Sequence, residues 1–323
     1  MSDGRVIVLG GTGFLGRQVC MDLAASGDDV LAVARTAPRP APAYRFRSLD
    51  VSRLPTGDLV SVLAAERPDA VVNATGGKWG LSDRELEASC VVPTRRLLAA
   101  LERLRYRPRL VHLGSVLEYG PIAPGGRTSA AQPLRPTTTY GKTKLAATQA
   151  VLTAAAAGTV DAIVLRIANV AGPGTPAVSL LGRVAGQLAE AAAGGEPAKV
   201  ELTSLRAHRD YVDVRDVSDA VLAATRAPVT GAAIGIGRGE AVPVRSLVEL
   251  LIEVSGVAAH VVELPTPAGS PDLGDWTRVD PRPARELLGW SPRRTLRDSV
   301  RGLWDEVRAR TGVPERSSAV PGQ

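Results

Sequence analysis

Tyr140 and Lys144 stand four residues apart in Tyr140-Gly141-Lys142-Thr143-Lys144, a spacing that puts a phenol and an ammonium on one face of a helix. Such a pair can move protons. A phenol with its ordinary pKa of about 10 is a poor acid or base at neutral pH. A cation about 4 Å away, at an effective dielectric of about 20, is worth about 4 kcal/mol to the phenolate. At about 1.36 kcal/mol per pKa unit, that lowers the phenol by about three. The expectation is a Tyr140 that titrates near neutrality, where acid–base catalysis is most effective. Upstream, the run Leu113-Gly114-Ser115-Val116-Leu117-Glu118-Tyr119-Gly120 places Ser115 at the end of an apolar strand, where its hydroxyl can hydrogen-bond the same reacting oxygen. This is not a Gly-x-Ser-x-Gly elbow, which argues against a serine hydrolase. Each feature also has an ordinary reading: Tyr-x-x-x-Lys arises by chance, and serine commonly ends a strand.

A second group of residues suits a phosphorylated ligand. Gly10-Gly11-Thr12-Gly13-Phe14-Leu15-Gly16 follows an apolar strand and opens a helix. In that context glycines allow a tight turn, close approach of the backbone to a pyrophosphate, and packing of helix on strand. The helix N-terminus then supplies amides and a positive dipole end to the anion. Gly10, Thr12, Gly13, Phe14, Leu15 and Gly16 are therefore candidate dinucleotide contacts, against the alternative of a plain glycine-rich turn. Arg35 ends the second strand, where an acidic residue would bind ribose hydroxyls; a guanidinium there suits a 2′-phosphate, so NADP(H) is preferred and NAD(H) is the alternative. A solvated surface arginine would look the same. Asp50, in Leu49-Asp50-Val51 at the end of the third strand, fits an adenine amino group with Val51 beside it, and equally fits a turn or helix cap.

The elements that must hold these groups alternate. Strands are expected at 5–9, 30–34, 44–49, 70–73, 110–113 and 162–167, with helices at 14–26, 59–66, 84–104 and 140–157 between them. Strictly alternating strands and helices imply α/β architecture, a doubly wound parallel sheet with right-handed crossovers. Beyond Asn169 the pattern loosens: helices at 178–193, 213–226, 281–288 and 296–310, short strands at 200–203 and 232–235. The expected organisation is a dinucleotide-binding unit over residues 1–168, with 207–238 returning to it. A smaller C-terminal α/β substrate-binding subdomain takes 169–206 and 239–311, and 312–323 form a tail.

Composition excludes several classes. Apolar residues make up 45% of the chain and aromatics 3%, so the core is built from aliphatic side chains, as buried parallel strands require. The formal charge of +6 comes from arginines scattered singly, without the basic runs or finger spacings of a nucleic-acid binder. Lysine is confined to Lys78, Lys142, Lys144 and Lys199. Cys20 and Cys90 make neither a disulfide framework nor a metal site, and His112 sits in an apolar run as a core strand residue. No apolar stretch reaches membrane-spanning length and no signal peptide is legible, so no membrane, no metal and a cytoplasmic location are expected.

Together these motifs resemble the extended short-chain dehydrogenase/reductase family, in its NAD-dependent epimerase/dehydratase branch of Rossmann proteins, over most of the chain from about Arg5 to Trp304. The resemblance implies Ser115, Tyr140 and Lys144 as the catalytic residues. It implies Ala74, Thr75, Gly76 and Lys78, in Asn73-Ala74-Thr75-Gly76-Gly77-Lys78, as the cofactor loop after the fourth strand. Ile167 joins the cofactor site, with Tyr140 and Lys144. Asn169, in Ile167-Ala168-Asn169-Val170-Ala171-Gly172-Pro173, and Arg209, in Arg209-Asp210-Tyr211, are implied contacts of a substrate diphosphate, with Lys78 and Ser115 nearer the sugar. A bidentate guanidinium suits that role. Leu287-Leu288-Gly289-Trp290-Ser291-Pro292 resembles a C-terminal signature read as packing.

Departures narrow the expectation. The Asp-Glu pair that dehydratases of this family carry after the Ser115 position is Val116-Leu117 here, so water elimination is not expected. Glu118 and Asp213 also differ from relatives, where an apolar residue and a histidine are usual, and the sequence offers no account of either. The remaining expectation is NADPH-dependent reduction of a nucleotide-linked 4-keto-6-deoxysugar (dTDP or UDP linked) by a homodimer. The alternatives are an NAD-dependent nucleotide-sugar 4-epimerase, a reductase of non-nucleotide ketones, and a non-catalytic NAD(P)-binding sensor.

Overall fold

The computed structural model describes residues 4–77, 80–203, 205–265 and 274–313. In chain order the elements of the first half are β1 (Arg5–Leu9), α1 (Phe14–Ala25), β2 (Asp29–Ala34), β3 (Arg45–Ser48), α2 (Thr56–Glu66), β4 (Ala70–Asn73), α3 (Asp83–Leu101), β5 (Arg109–Ser115), a 3-10 turn (Val116–Glu118), α4 (Thr139–Ala156) and β6 (Ala162–Ile167). There follow β7 (Asn169–Ala171), α5 (Leu180–Gly194), β8 (Ala198–Thr203), β9 (His208–Arg209), β10 (Tyr211–Asp213), α6 (Val214–Arg226), β11 (Ala233–Ile236), β12 (Val242–Pro243), α7 (Val244–Ser255), β13 (Ala259–Leu264), α8 (Arg282–Leu288) and α9 (Leu296–Thr311).

Among the described residues, seven strands form one parallel sheet in the order β11-β6-β5-β4-β1-β2-β3. Alternate residues of each strand face opposite layers, as the period of two requires. Val6 and Val8 join Val19, Leu23, Val217 and Val221 under α1 and α6. Ile7 and Leu9 join Leu59, Leu63, Leu97 and Val151 under α2, α3 and α4. With helices on both faces, β4, β5 and β6 are buried along their whole length, which is why they read as unbroken apolar runs. The edge strand β3 keeps charge: Arg45 pairs with Asp29 at 2.9 Å and with Glu66 at 2.9 Å.

A separate apolar cluster lies in the C-terminal part, where Leu181, Val184 and Leu188 of α5 meet Leu247, Val248 and Leu251 of α7 and Val300, Leu303 and Trp304 of α9. Residues 244–255 and 259–264 carry no expected element, yet form α7 and β13. The valines of 244–255, at 244, 248 and 254, weaken the local helix signal, and β13 is ordered by pairing in parallel with β8 far away in sequence. The short strand β7 is likewise fixed by a distant partner, β10. Among the described residues no helix is long and apolar enough to cross a membrane. Lys78 and residues 314–323 of the expected tail lie outside the described residues.

The sheet order reverses its winding between β1 and β4, and the loops that leave these two strands face each other. Ligands of such sheets bind outside the carboxyl ends of the strands at this crevice.

Candidate active site

The loop after β1 is built to let backbone approach an anion. Gly10 takes φ of +79°, and a Cβ there would lie 2.6 Å from the Ala74 carbonyl of the loop after β4. A Cβ on Gly11 would lie 2.7 Å from the Ala32 Cβ, and one on Gly16 would overlap the Gly10 carbonyl. The Gly10 amide donates to the Val33 carbonyl at 2.8 Å, and the Gly13 amide to the Gly10 carbonyl at 3.0 Å, which turns the chain into α1. Gly13 caps α1 without a side-chain bond, and the first turn holds no acid. The amides of Phe14, Leu15 and Gly16 thus begin a helix with no capping side chain and no acid in its first turn. Thr12 is half-buried beside them and Gly13 exposed. A cradle that side chains would fill, at an uncapped helix start, fits the pyrophosphate of a dinucleotide.

Arg35 is exposed just past the end of β2, and its carbonyl accepts from the Ser48 hydroxyl at 2.8 Å. Asp50 is half-buried nearby. Its Oδ1 takes the Ser52 hydroxyl at 2.5 Å and the Ser52 amide at 3.0 Å, and these bonds, with Arg35 and Arg53 close by, hold its carboxyl below the ordinary carboxylate range. The Asp50 carboxylate thus organises its own turn, while Val51 packs into the core beneath α2 and α3.

Behind the crevice, Asn73 at the end of β4 is fully buried. Its Oδ1 accepts from the Thr75 amide at 3.2 Å and hydroxyl at 2.6 Å, and its Nδ2 donates to Thr94 Oγ1 at 3.0 Å. That orientation makes Nδ1 of His112, 3.1 Å from Asn73 Nδ2, the acceptor. His112 is a buried residue of β5, as expected, and burial with the nearby Lys144 ammonium pushes it down to about 3. Asn73 thereby shapes Ala74, Thr75 and Gly76. Gly76 has φ of +116°, and a Cβ on it would lie 2.7 Å from Cys90 Sγ and 3.3 Å from Lys144 Nζ.

Ser115 ends β5 and is 8% exposed. Its Oγ accepts from the Leu117 amide at 3.2 Å, so its proton remains for another acceptor. Tyr140 and Lys144 lie in the first turns of α4, which starts where Thr138 Oγ1 accepts from the Gly141 amide at 3.0 Å. Tyr140 keeps part of its surface exposed, while Lys144 is buried. Lys144 Nζ donates to the carbonyls of Leu113 at 2.8 Å and Thr75 at 3.3 Å, joining strand β5 to the loop that follows β4.

The expectation that Lys144 draws the Tyr140 phenol toward neutrality fails in this structure. Burial pushes the phenol up, with Cys90 and Glu118 adding to the rise. Lys144 is itself pushed down by burial, which Cys90 and Glu118 oppose. The physical reason is desolvation, which disfavours the charged form of each group, and the ammonium's bonds go to backbone carbonyls.

Sequence reasoning missed the groups behind Ser115. Glu118, fully buried, accepts from the Ser115 amide at 2.8 Å, from Thr148 Oγ1 at 2.9 Å and from Arg166 Nε at 2.8 Å. The Arg166 guanidinium stacks 4.8 Å from the Tyr119 ring centroid. Thr148 continues the spacing of Tyr140 and Lys144 along α4, a signal that was available.

Across the crevice, Asn169 starts β7 with its amide on the Asp210 carbonyl at 3.0 Å, and the register Tyr211↔Asn169 holds β10 beside it. Arg209 is 9% exposed, with its guanidinium on the carbonyls of His208 at 3.1 Å and Gly274 at 2.5 Å. Its neighbour Asp210 accepts three backbone amides, from Arg238 at 2.8 Å, Gly239 at 2.9 Å and Val279 at 3.0 Å, while burial raises its carboxyl to about 6. Asp213, unexplained by sequence, caps α6 by accepting from the Arg215 amide at 2.8 Å, and pairs with the Arg215 guanidinium at 2.8 Å. Ile167 is a buried residue ending β6.

This geometry has known counterparts. The model of the NAD dependent epimerase/dehydratase family matches residues 6–237. The chain is 47% identical over 301 residues to dTDP-6-deoxy-L-talose 4-dehydrogenase (NAD(P)(+)) of Kitasatospora kifunensis, covering 93% of this chain and 94% of that protein. It is 28% identical over 319 residues to GDP-6-deoxy-D-mannose reductase of Pseudomonas aeruginosa, covering 95% and 98%. The solved structure of MoeE5 in complex with UDP-glucuronic acid and NAD superimposes with a TM-score of 0.82 at 28% identity, covering 95% of this chain and 100% of that one. The chain belongs to the NAD dependent epimerase/dehydratase family and is an NAD(P)-dependent oxidoreductase of the extended short-chain dehydrogenase/reductase type.

Proposed function

We propose that the chain reduces the ketone at C4 of a dTDP-linked 4-keto-6-deoxyhexose with NADPH. The observation that carries this reading is the 47% identity, over 93% of the chain, to a protein named for oxidation at C4 of a dTDP-6-deoxysugar. Oxidation of that hydroxyl and reduction of the ketone are one step run in two directions. Arg35 at the end of β2 supports the phosphorylated cofactor, and the name of the Kitasatospora relative admits both forms.

In this reading the bound nicotinamide supplies the hydride to C4. Ser115 donates its free proton to the ketone oxygen and polarises the carbonyl. Tyr140 gives its hydroxyl proton to that oxygen as the alcohol forms; a phenol held up by burial stays protonated through neutral pH, the form that donation needs. Lys144 has three donors, of which two hold Leu113 and Thr75, and the third serves the cofactor ribose or the phenolate left behind. Gly10, Thr12, Gly13, Phe14, Leu15 and Gly16 hold the pyrophosphate, Ala74, Thr75, Gly76 and Ile167 line the nicotinamide side, and Asp50 and Val51 flank the adenine. Asn169 and Arg209 take the substrate diphosphate, with Lys78 beside the sugar.

We also read residues 1–168 with 207–238 as the cofactor unit, 169–206 with 239–311 as the substrate unit, and the active form as a homodimer. The test is NADPH consumption with dTDP-4-keto-6-deoxyhexose. Inertness toward that ketone, together with epimerisation of a UDP-hexose without net cofactor change, would favour the epimerase instead.

A further inference from the structure

Three elements have to be set against one another for proton transfer: the end of β5 with Ser115, the first turns of α4 with Tyr140 and Lys144, and β6 beside them. One carboxylate touches all three. Glu118 Oε1 accepts from the Ser115 amide at 2.8 Å and from Thr148 Oγ1 of α4 at 2.9 Å, and Oε2 accepts from Arg166 Nε of β6 at 2.8 Å. Tyr140, Lys144 and Thr148 recur every fourth residue, so the face of α4 that carries the phenol and ammonium is the face the carboxylate holds. Both ends of the ion pair are buried, Glu118 wholly. The packing is exclusive: a Cβ on Gly114 would lie 2.5 Å from Glu118 Oε1 and 3.1 Å from Thr148 Oγ1. A buried ion pair is weak evidence for stability, because desolvation offsets its attraction, so the geometry it fixes is the feature to explain.

We propose that Glu118 is a positioning residue, whose carboxylate sets Ser115 against the Tyr140–Lys144 face of α4 and so governs the proton-transfer step rather than the binding of either ligand. The inference rests on the ketoreductase reading of the site. Glu118 has no exposed surface; it acts through the Ser115 amide and through Thr148. Its charge, balanced by Arg166, also bears on Tyr140 and Lys144, raising both.

The test compares Thr148→Val, which removes the α4 bond and keeps the ion pair, with Glu118→Gln, which keeps an acceptor and leaves Arg166 uncompensated. Expected are a kcat lowered about tenfold or more in Glu118→Gln and about threefold or more in Thr148→Val, with KM for NADPH and for the nucleotide sugar within about twofold of wild type. Thermal midpoints taken alongside allow rates per folded enzyme. Should Glu118→Gln not fold, Thr148→Val carries the test. Folded variants with unchanged kcat, or a raised KM at unchanged kcat, overturn the proposal. A wild type inert on every nucleotide-linked ketone sinks the functional reading instead. Crystal structures of the wild type and Thr148→Val then decide positioning: Ser115 displaced relative to Tyr140 by about 0.5 Å or more supports it, and an unmoved Ser115 overturns it.

Discussion

Lys144 Nζ donates to the Leu113 carbonyl at 2.8 Å, which ties the second turn of the candidate catalytic helix to the strand that presents Ser115 two residues later. The ammonium therefore works first as a structural clamp. It also reaches the Thr75 carbonyl at 3.3 Å, so one side chain joins β5 to the loop leaving β4 at the crevice where a dinucleotide fits. The proposed proton transfer by Tyr140 relies on this link more than on any lowering of its pKa.

Removing the phenol oxygen tests its role in proton transfer. Tyr140→Phe is expected to lower kcat by about 100-fold or more, the scale of a lost general acid, while NADPH binding followed by fluorescence stays at the wild-type level. A variant that retains most of its kcat would assign the proton to another group.

The proposed preference for NADPH is tested at Arg35. Under that proposal, Arg35→Ala removes a charge-assisted contact to the 2′-phosphate, worth about 1.5–3 kcal/mol. KM for NADPH is expected to rise by about tenfold or more and KM for NADH to stay nearly constant. Equal changes with both cofactors would make Arg35 a plain surface cation.

Gly10→Ala probes the close approach of the two loops. The φ of +79° and the 2.6 Å separation from the Ala74 carbonyl leave no room for a methyl group. A loss of about 1–3 kcal/mol in unfolding free energy is expected, with NADPH affinity falling alongside it. Denaturant unfolding and a fluorescence titration read the two effects separately.

Much of the cofactor half was legible because its signals are local. The runs 5–9, 70–73 and 162–167 match β1, β4 and β6 in full, and the glycines from Gly10 to Gly16 lie where a strand turns into a helix. What stayed hidden depends on partners distant in sequence. The strand β13 exists through β8, the Asp210 carboxylate through amides at residues 238, 239 and 279, and the Glu118 ion pair through a residue of β6. The Tyr140 pKa was misjudged for a related reason: spacing places the two groups on one face and says nothing of how far both are withdrawn from water.

His112 makes stability depend on pH with a defined sign. Its folded pKa of about 3 lies below the ordinary value of 6.5, so the unfolded chain takes up the proton first and stability falls as pH drops through the window between them. From about pH 7 to pH 5 the loss attributable to His112 is about 2 kcal/mol. Asp210 acts in the opposite sense: its folded value of about 6 stands above the ordinary 3.8, so the native state gains a proton first and part of the loss is offset. His112→Gln, which keeps an acceptor for Asn73, is expected to flatten the acid-side loss relative to wild type in denaturant titrations across this range. Parallel pH curves for the two proteins would contradict it.

The most direct measurement is the transfer of label from NADPH deuterated at nicotinamide C4 to dTDP-4-keto-6-deoxyhexose, read by mass spectrometry and NMR of the product. The account predicts one deuterium at sugar C4 for each NADPH oxidised, and a dTDP-6-deoxyhexose with a hydroxyl at that carbon. A sugar that carries no label, with NADPH left unoxidised while a UDP-hexose is epimerised, would contradict it.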